Sequence, residues 1–287
     1  MVSKELFPDR EERRNKKEID LKDWKYYLEG LKITTNSRWL TSTSDKPIFG
    51  NFFIPKRDFL PPPSRDFHGV WIPEIPYQMM MRFTKIGDKV WSQFGGSGTD
   101  YVVAEYLERV CYINDLTPKK DFIVKADSLT YKTPEKVKLI LSHPPYWDMI
   151  KFSELESDGS SKESLLEFLL WWDKIVKNSL SNLENKGFFV FACGNLYKNS
   201  EEITLGNLMM LVALNNGFIL KQQIIKDYGQ TKGSEVKNYN LNYYRQIRGN
   251  YGNFYGDNIF VMQKSKSKNN ITSSLMGVLD KAENKNV

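Results

Sequence analysis

The chain has 287 residues, of which 40% are hydrophobic and 14% aromatic, and this is enough to bury one substantial core. We therefore expect one large α/β domain rather than two domains. No apolar run approaches the roughly 18 residues of a membrane span, and the charged N-terminus lacks the apolar stretch of a signal peptide. These features argue against a membrane protein and predict a cytoplasmic location.

The net charge and the few cysteines and histidines limit which partners, disulfides and metal sites we expect. The net charge of +6 favours a polyanionic partner, although lysine-rich composition also describes solvated faces. Cys111 and Cys193 each lie inside an apolar, strand-like run, so we expect buried free thiols. With His68 and His143 as the only histidines, the sequence gives no support for a zinc site.

Residues 1–71 are expected to form an N-terminal arm and a covering lobe. The arm is dense in charge, and its basic residues either contact phosphates or form a solvated helix face. The pattern over 24–31 is compatible with a short helix. Residues 35–70 are aromatic, proline-rich and irregular, which is typical of a lid.

A regular pattern of helices and strands begins near residue 73. The first helix is rich in Met and mostly apolar, so we expect it to fill the core, and Gly87 should close it. Strands that alternate with helices indicate a doubly wound, mostly parallel sheet, in which ligands bind at the carboxyl ends of the strands. The predicted elements in this part are a helix over 75–83, a strand over 89–92, a helix over 100–108, and strands over 110–114 and 122–124.

A glycine-rich turn, residues 94–99 with the sequence FGGSGT, lies between the predicted strand 89–92 and the helix 100–108. Glycines in such a turn let the backbone approach a ligand closely and let the helix N-terminus face it. The spacing differs from the GxGxxG dinucleotide motif, and the lysine of a P-loop is missing. A nucleoside without phosphates therefore fits this turn better than a nucleotide.

Polar residues end the two strands that follow the glycine turn. Asp115 stands where an acidic side chain can accept both hydroxyls of a ribose, and Asp127 with Ser128 could bind an adenine amine. Alternatively, Asp115 caps the turn before Pro118, and Asp127 is a turn residue. Together with the glycine turn, these residues predict a nucleoside site.

A second motif, the HPPY turn of residues 143–146, follows a predicted buried strand over 137–141. Two prolines cannot continue a sheet ladder, so the chain must leave the strand as a stiff, extended turn. A planar base with an exocyclic amine could stack on the aromatic ring and donate its N–H groups to the free carbonyls of the turn. The alternative is an edge strand ended by prolines, with Tyr146 and Trp147 as core aromatics.

Beyond the HPPY turn, a flexible charge-rich segment over 154–164 is expected to join a long amphipathic helix over 165–183. Trp171 and Trp172 of that helix are interpreted as packing residues.

The last part of the chain contains a basic, tyrosine-rich stretch over 226–257. Basic residues can neutralise phosphates while tyrosines stack on bases, so this stretch is typical of a loop that contacts nucleic acid. The alternative is a Gly- and Asn-rich hairpin with exposed tyrosines. Residues 265–287 are expected to form a polar tail.

The glycine turn, the acidic residue that ends the next strand and the PPY turn, in this order, resemble the DNA amino-methyltransferases that methylate cytosine N4 or adenine N6. The resemblance covers about residues 72–264 and implies a later central strand over 187–195 and a last strand over 258–264. The order of the two motifs is similar to the gamma arrangement of that family. This sequence has His143 where the family usually has Asp, Asn or Ser, and Ser92-Gln93 where it usually has Asp-Pro. The resemblance implies a Rossmann-like methyltransferase domain over 72–264, S-adenosylmethionine as cofactor and nucleic acid as partner.

The resemblance also implies roles for individual residues. His143, Pro144, Pro145 and Tyr146 would form the catalytic target-base pocket, with His143 as a candidate proton acceptor. The implied cofactor residues are Ile75, Pro76, Phe94, Gly95, Gly96, Ser97, Gly98, Thr99, Asp115, Asp127 and Ser128. The substrate contacts that we expect are Trp147, Tyr243, Tyr244, Arg245, Arg248 and Tyr251.

Within this family, a PPY motif followed by Trp favours cytosine N4 in DNA as the target. The alternatives left open are adenine N6 in DNA and cytosine N4 in RNA. An alternative of another class is a nucleic-acid-binding module that has kept the fold without catalysis.

Overall fold

The computed structural model describes residues 33, 37–40, 72–227, 248 and 256–265. Two short 3-10 helices, Trp147–Met149 and Gly159–Ser161, supplement the regular elements. The α-helices of this part are α1 (Glu74–Phe83), α2 (Thr99–Tyr106), α3 (Leu165–Asn182) and α4 (Leu205–Asn215). The strands are β1 (Arg38–Leu40), β2 (Lys89–Gln93), β3 (Val110–Asp115), β4 (Val124–Lys125), β5 (Val137–Ser142), β6 (Leu183–Cys193), β7 (Leu196–Lys198), β8 (Glu201–Ile203), β9 (Phe218–Asp227) and β10 (Gly256–Lys264).

Eight strands form one sheet in the order β1-β9-β10-β6-β5-β2-β3-β4, and β7 and β8 form a separate hairpin. Only β10 runs antiparallel to its neighbours in the large sheet of the described residues. The chain moves outward from β2 to β4 and then returns to place β5 on the other side of β2. The boundary between β2 and β5 is therefore the switch point of the sheet, where doubly wound folds bind ligands.

The sheet is covered on both faces, because alternate residues of its central strands enter two different hydrophobic clusters. Phe189 and Phe191 of β6 pack on the α3 and α4 side, whereas Val190 packs with α1 and α2 on the opposite side. Strands buried on both faces are typical of parallel sheets. The expected doubly wound, mostly parallel α/β fold is confirmed.

Helix α3 begins at a capping box, in which the Ser164 hydroxyl accepts the Glu167 N–H and the Glu167 carboxylate reaches back to the Ser164 N–H. Trp172 is fully buried and Trp171 is 4% exposed, so their packing role is confirmed. The Trp171 indole donates to the Ser157 carbonyl and thereby ties the helix to the segment before it. The predicted flexible segment over 154–164 is thus held by specific hydrogen bonds and contains a 3-10 helix.

Several predicted boundaries differ from the structure. The strand expected over 122–124 lies instead at Val124–Lys125, because Ile123 donates its N–H to Lys120 in a turn. Helix α1 ends at Phe83, and the C-cap residue Thr84 donates both its N–H and its hydroxyl to the Met80 carbonyl, so Gly87 belongs to a later turn. Helix α4, strand β9 and the β7–β8 hairpin were not predicted.

The expectation of an irregular lobe over 35–70 is wrong at Arg38–Leu40. These residues form the edge strand β1, parallel to β9, and Trp39 is fully buried among the α1-side core residues. A strand of three residues is too short to produce a readable alternation in the sequence. The predicted arm, the helix over 24–31, the rest of the lobe and the tail beyond residue 265 lie outside the described residues.

Candidate active site

The two sequence motifs lie side by side at the switch point. Gln93, the last residue of β2, and Ser142, the last residue of β5, are partners in the parallel register. The glycine turn leaves the sheet directly after Gln93, and the HPPY turn leaves it directly after Ser142. The fold therefore brings together the two turns that the sequence analysis treated as separate signals.

The glycine turn is shaped by positive φ angles and short backbone hydrogen bonds. Gly96 and Gly98 have φ of 50° and 83°, and Phe94 adopts a φ of 57°, which is a strained value for a bulky residue. The Gly98 N–H donates to the Gly95 carbonyl at 2.8 Å, and Gly98 is the N-cap of α2. The turn thus aims the N-terminus of α2 at the carboxyl edge of the sheet.

Two of the glycines are also required by packing within the protein. A Cβ on Gly95 would lie 2.7 Å from the Ile113 side chain, and a Cβ on Gly98 would lie 2.7 Å from the Phe122 ring. The turn therefore packs tightly against β3 and the segment before β4. The predicted approach of a ligand to these glycines remains a prediction, and the structure adds a second reason for their small size.

Asp115 lies at the end of β3, half-buried, and fastens the glycine turn. One carboxylate oxygen accepts the Gly96 N–H at 2.9 Å, and the other accepts the Thr117 N–H at 2.9 Å. The interpretation as a turn cap is confirmed. A carboxylate can accept about four hydrogen bonds, so this group still has the capacity to bind the two hydroxyls of a ribose.

Asp127 and Ser128 follow β4 on the same edge. One Asp127 carboxylate oxygen accepts the Leu129 N–H at 2.8 Å, which confirms its interpretation as a turn residue. Ser128 is 3% exposed, and its hydroxyl accepts an N–H of the Asn114 side chain at 2.9 Å. Asp127 is half-buried and Ser128 is buried, so of the two side chains Asp127 is the more accessible to a ligand.

The remaining predicted cofactor residues lie on the first turns of α1 and α2 or in the glycine turn. Ile75 and Pro76 are buried in the first turn of α1. Ser97 and Thr99 share a hydrogen bond of 3.2 Å between their hydroxyls. The Phe94 ring packs against Trp171 at a centroid distance of 5.8 Å. Their contacts with a cofactor remain predictions.

The sequence analysis missed Asn114, a fully buried residue that ties three elements together. Its side chain accepts the Trp91 indole N–H at 2.7 Å and donates to Ser128 and to the Ala126 carbonyl. This network fixes the end of β3 against β2 and the segment after β4. A polar residue inside the apolar run over 110–114 was the available signal.

In the HPPY turn, His143 and Tyr146 contact each other. The His143 Nε2 lies 2.9 Å from the Tyr146 hydroxyl, and the two rings meet edge to face at 5.6 Å. Both residues are half-buried, whereas Pro144 is buried. The histidine thereby fixes the orientation of the tyrosine ring.

Trp147 is largely buried, at 5% exposure, and belongs to the core. Its indole donates to the Lys162 carbonyl at 2.9 Å, and the Lys198 ammonium lies 4.2 Å from the ring centroid. Lys198 also forms an ion pair with Asp148. Trp147, which directly follows the HPPY turn, has a φ of 50°, a strained value for an aromatic residue. Its predicted substrate contact remains a prediction, and its burial favours support of the turn.

A cluster that the sequence analysis missed adjoins Tyr146. A Cβ on Gly194, which directly follows β6, would lie 3.2 Å from the Tyr146 ring and 3.0 Å from the Asp257 Oδ1. The Asp257 Oδ2 lies 3.1 Å from the Lys226 ammonium, and both side chains are less than a tenth exposed. Burial raises the pKa of the neighbouring Cys193 thiol, and the charge of Asp257 raises this pKa further. No local sequence signal reveals this cluster, because β10 runs antiparallel and brings its first residues to the carboxyl edge.

Three further polar atoms at the same edge are buried and have no hydrogen-bond partner within the described part of the chain. They are Gln93 Oε1, Ser142 Oγ and Asn195 Oδ1. Gln93 and Ser142 end the two strands that border the switch point, and Asn195 follows Gly194. Buried polar atoms normally have partners, so these atoms mark a place where a ligand or water can bind.

The predicted nucleic-acid loop needs one correction. Lys226 belongs to β9 and is buried in an ion pair, because it faces Asp257 across the β9–β10 pair, so it is not a free phosphate contact. Arg248 is exposed. Four other predicted contacts, Tyr243, Tyr244, Arg245 and Tyr251, lie outside the described residues.

Among the residues that the structure describes, no helix is both long and apolar enough to cross a membrane. The same residues contain no group of three or more His, Cys, Asp and Glu side chains arranged to hold a metal ion.

No protein-family model matches the chain, and a comparison with curated proteins finds no match. Solved structures with a similar fold include TrmN from Thermus thermophilus, with 18% identity, a TM-score of 0.44, and coverage of 69% of this chain and 50% of TrmN. The N-methyltransferase NodS from Bradyrhizobium japonicum, in complex with S-adenosyl-L-homocysteine, has 9% identity, a TM-score of 0.41, and coverage of 67% of this chain and 85% of NodS. The cyclase SpnF has 10% identity, a TM-score of 0.45, and coverage of 68% of this chain and 82% of SpnF. The chain thus spans half the length of TrmN, and these likenesses concern the fold alone.

Proposed function

We propose that this chain is an S-adenosylmethionine-dependent methyltransferase that acts on the exocyclic amine of a nucleobase, with cytosine N4 in DNA as its target. The observation that carries the proposal is the position of the HPPY turn beside the glycine turn, at the switch point of a doubly wound sheet. A nucleoside site next to an aromatic turn would hold a methyl donor and a planar acceptor close together.

The residues at the ends of β3 and β4 fit the nucleoside part of the donor. Asp115 is held in place by two backbone N–H groups and has remaining acceptor capacity for ribose hydroxyls. Asp127 lies at the end of the next strand, where it can accept an adenine amine. When bound, the cofactor would supply a methyl group carried on a positively charged sulfur.

The HPPY turn fits the acceptor base. An exocyclic amine is a poor nucleophile because its lone pair is delocalised into the ring. The Tyr146 ring would stack on a base that has left the helix, and the Pro144 carbonyl would accept one amine N–H. Acceptors on this side favour a pyramidal nitrogen, whose lone pair then points away from the ring plane.

His143 has a defined partner in this arrangement. Because its Nε2 is bonded to the Tyr146 hydroxyl, we assign it the positioning of that ring. Acceptance of a proton by His143 remains a separate hypothesis. It predicts that activity falls at acid pH and that His143→Ser alters the pH-rate profile; an unchanged profile would remove the base role.

The test of the proposed function is the transfer of labelled methyl groups from S-adenosylmethionine to unmethylated duplex DNA and, in parallel, to ribosomal and transfer RNA. Digestion to nucleosides and mass spectrometry identify the product. We expect N4-methylcytosine from DNA. Detection of N6-methyladenine would reassign the target base to adenine. A label found only in RNA would reassign the substrate from DNA to RNA. Cofactor binding without transfer to any pool would contradict catalysis by this chain alone, and absence of cofactor binding would favour a non-catalytic binding module.

A further inference from the structure

Asp257 is a buried residue whose two carboxylate oxygens differ in their hydrogen bonding. It is 7% exposed, and its Oδ2 is held by the Lys226 ammonium at 3.1 Å. Its Oδ1 has no hydrogen-bond partner among the residues that the structure describes. A carboxylate oxygen that no protein donor occupies can accept a hydrogen bond from a ligand.

The Oδ1 atom of Asp257 faces the site already described. Gly194 has no side chain, and the space that its Cβ would occupy is bordered by the Asp257 Oδ1 at 3.0 Å and the Tyr146 ring at 3.2 Å. The carboxylate and the aromatic ring therefore meet over the same glycine. They come from β10 and from the HPPY turn, two elements that are distant in sequence.

The HPPY turn itself leaves an acceptor position open. The side chain at the first position of the turn is one candidate to accept an amine hydrogen. In this chain that position is His143, and its Nε2 is engaged with the Tyr146 hydroxyl at 2.9 Å. An acceptor from another element can then take the second amine hydrogen, and a charged acceptor bonds it more strongly than the turn carbonyls or the Ser142 hydroxyl.

We propose that Asp257 accepts a hydrogen bond from the exocyclic amine of the target base and selects amino bases over oxo bases. This inference rests on the proposed function and assigns a specificity residue to the same site. A carboxylate is an acceptor only, so it bonds the amine of cytosine or adenine and repels the carbonyl oxygen that uracil or hypoxanthine presents at that place. Lys226 compensates the buried charge and holds Oδ2, which leaves Oδ1 to the base.

The test compares the binding of fluorescently labelled oligo(dC) and oligo(dU) of equal length by anisotropy, with oligo(dA) and oligo(dI) as a purine pair. These homopolymers need no knowledge of a recognition sequence. A hydrogen bond to a charged group corresponds to a preference of about tenfold to a hundredfold, so we expect the full chain to prefer one amino homopolymer by that factor. Equal binding within both pairs would overturn the inference.

Two variants separate recognition from a purely structural ion pair. In Asp257→Asn, the amide can present either a donor or an acceptor, so the preference should fall below about threefold. The exchange Lys226→Asp with Asp257→Lys keeps an ion pair between β9 and β10 but places donors at the site, so the preference should reverse. A preference that survives the exchange would mean that the pair serves the fold alone.

The control exchanges Lys89 and Glu135, a more exposed ion pair of 3.1 Å that includes the first residue of β2 and so lies away from the carboxyl ends of the strands. Thermal unfolding confirms that each variant is folded, and the control should keep the preference of the unaltered chain. Methyl transfer is measured independently of this binding preference, so that the two proposals can fail separately. An amino preference without transfer would overturn the proposed catalysis only, whereas transfer without an amino preference would overturn the role of Asp257.

Discussion

The two sides of the candidate site are built from different kinds of contacts. The donor side, where the proposed methyl donor would bind, is formed by the ends of β2, β3 and β4. Its contacts join residues that are close in sequence, such as Gly96 and Asp115, 19 residues apart. The acceptor side, where the proposed target base would bind, is formed by the ends of β5 and β6 and the start of β10. Its residues, such as Tyr146, Gly194 and Asp257, are distant in sequence and meet only in the folded sheet. The donor side can therefore be predicted largely from the sequence, whereas the acceptor side depends on the topology of the sheet.

The largest effect that we expect is on stability at the donor side. Gly98→Ala forces a side chain onto a φ of 83° and places its Cβ 2.7 Å from the Phe122 ring, which should cost about 2–4 kcal/mol of unfolding free energy. Gly87→Ala is the matched control, because Gly87 has a φ of 79° and open space around it. The control should lose only about 1 kcal/mol. Equal losses in chemical denaturation would show that the glycine turn is not tightly packed.

At the acceptor side, we expect an effect on activity rather than stability. In Gly194→Ala, the new methyl group must displace Tyr146 or Asp257 by a few tenths of an ångström. Small misplacements of reacting groups can cost up to about a hundredfold in rate, so methyl transfer should fall by about tenfold to a hundredfold. Cofactor affinity, measured by calorimetry, should stay the same. A loss of cofactor affinity of similar size would contradict the division into two sides.

Asp115→Asn tests the donor side by the same two measurements. The amide oxygen can still accept one backbone N–H, but the charge that strengthens hydrogen bonds to ribose hydroxyls is lost. Cofactor affinity should fall about tenfold, while binding of oligonucleotides is unchanged. If oligonucleotide binding falls and cofactor affinity does not, the assignment of Asp115 is wrong.

The smallest effect that we expect is a pH dependence of stability, which comes from the two cysteine thiols, Cys111 near the start of β3 and Cys193 at the end of β6. Burial raises the pKa of both thiols, and at Cys193 the charge of Asp257 adds to the rise. As pH increases past about 8.5, the unfolded chain loses the thiol proton before the folded chain does. The free energy of unfolding should therefore fall by up to about 1.4 kcal/mol per pH unit for each thiol. Cys193→Ala should make this decline less steep, and an unchanged slope between pH 8 and 9.5 would contradict the prediction.

Much of the donor side could be predicted from sequence, because it consists of one strand-turn-helix-strand unit. The predicted helix over 75–83, strand over 89–92 and strand over 110–114 each match an element to within two residues. The proximity of the glycine turn and the HPPY turn also follows from the parallel topology. Asn114 was missed because a polar residue in an apolar strand gives no indication of which partners it will find.

The acceptor side could be predicted only in part. Tyr146 stands out in the sequence because two prolines precede it. Lys226 was interpreted as a phosphate contact because a lysine among tyrosines and glycines gives no sign of burial. Its partner Asp257 is 31 residues away, and their pairing depends on the antiparallel direction of β10, which periodicity does not reveal.

Strand β1 has a consequence for how the protein can be shortened. It covers the outer edge of β9, and Trp39 stands in register with Lys226. A chain that began at residue 72 would leave the backbone of β9 open to pairing with other molecules, and water would reach the Lys226–Asp257 pair from that side. Strand β1 thus covers the backbone of β9 on the side of the Lys226–Asp257 pair, so its removal should lower both solubility and base selection.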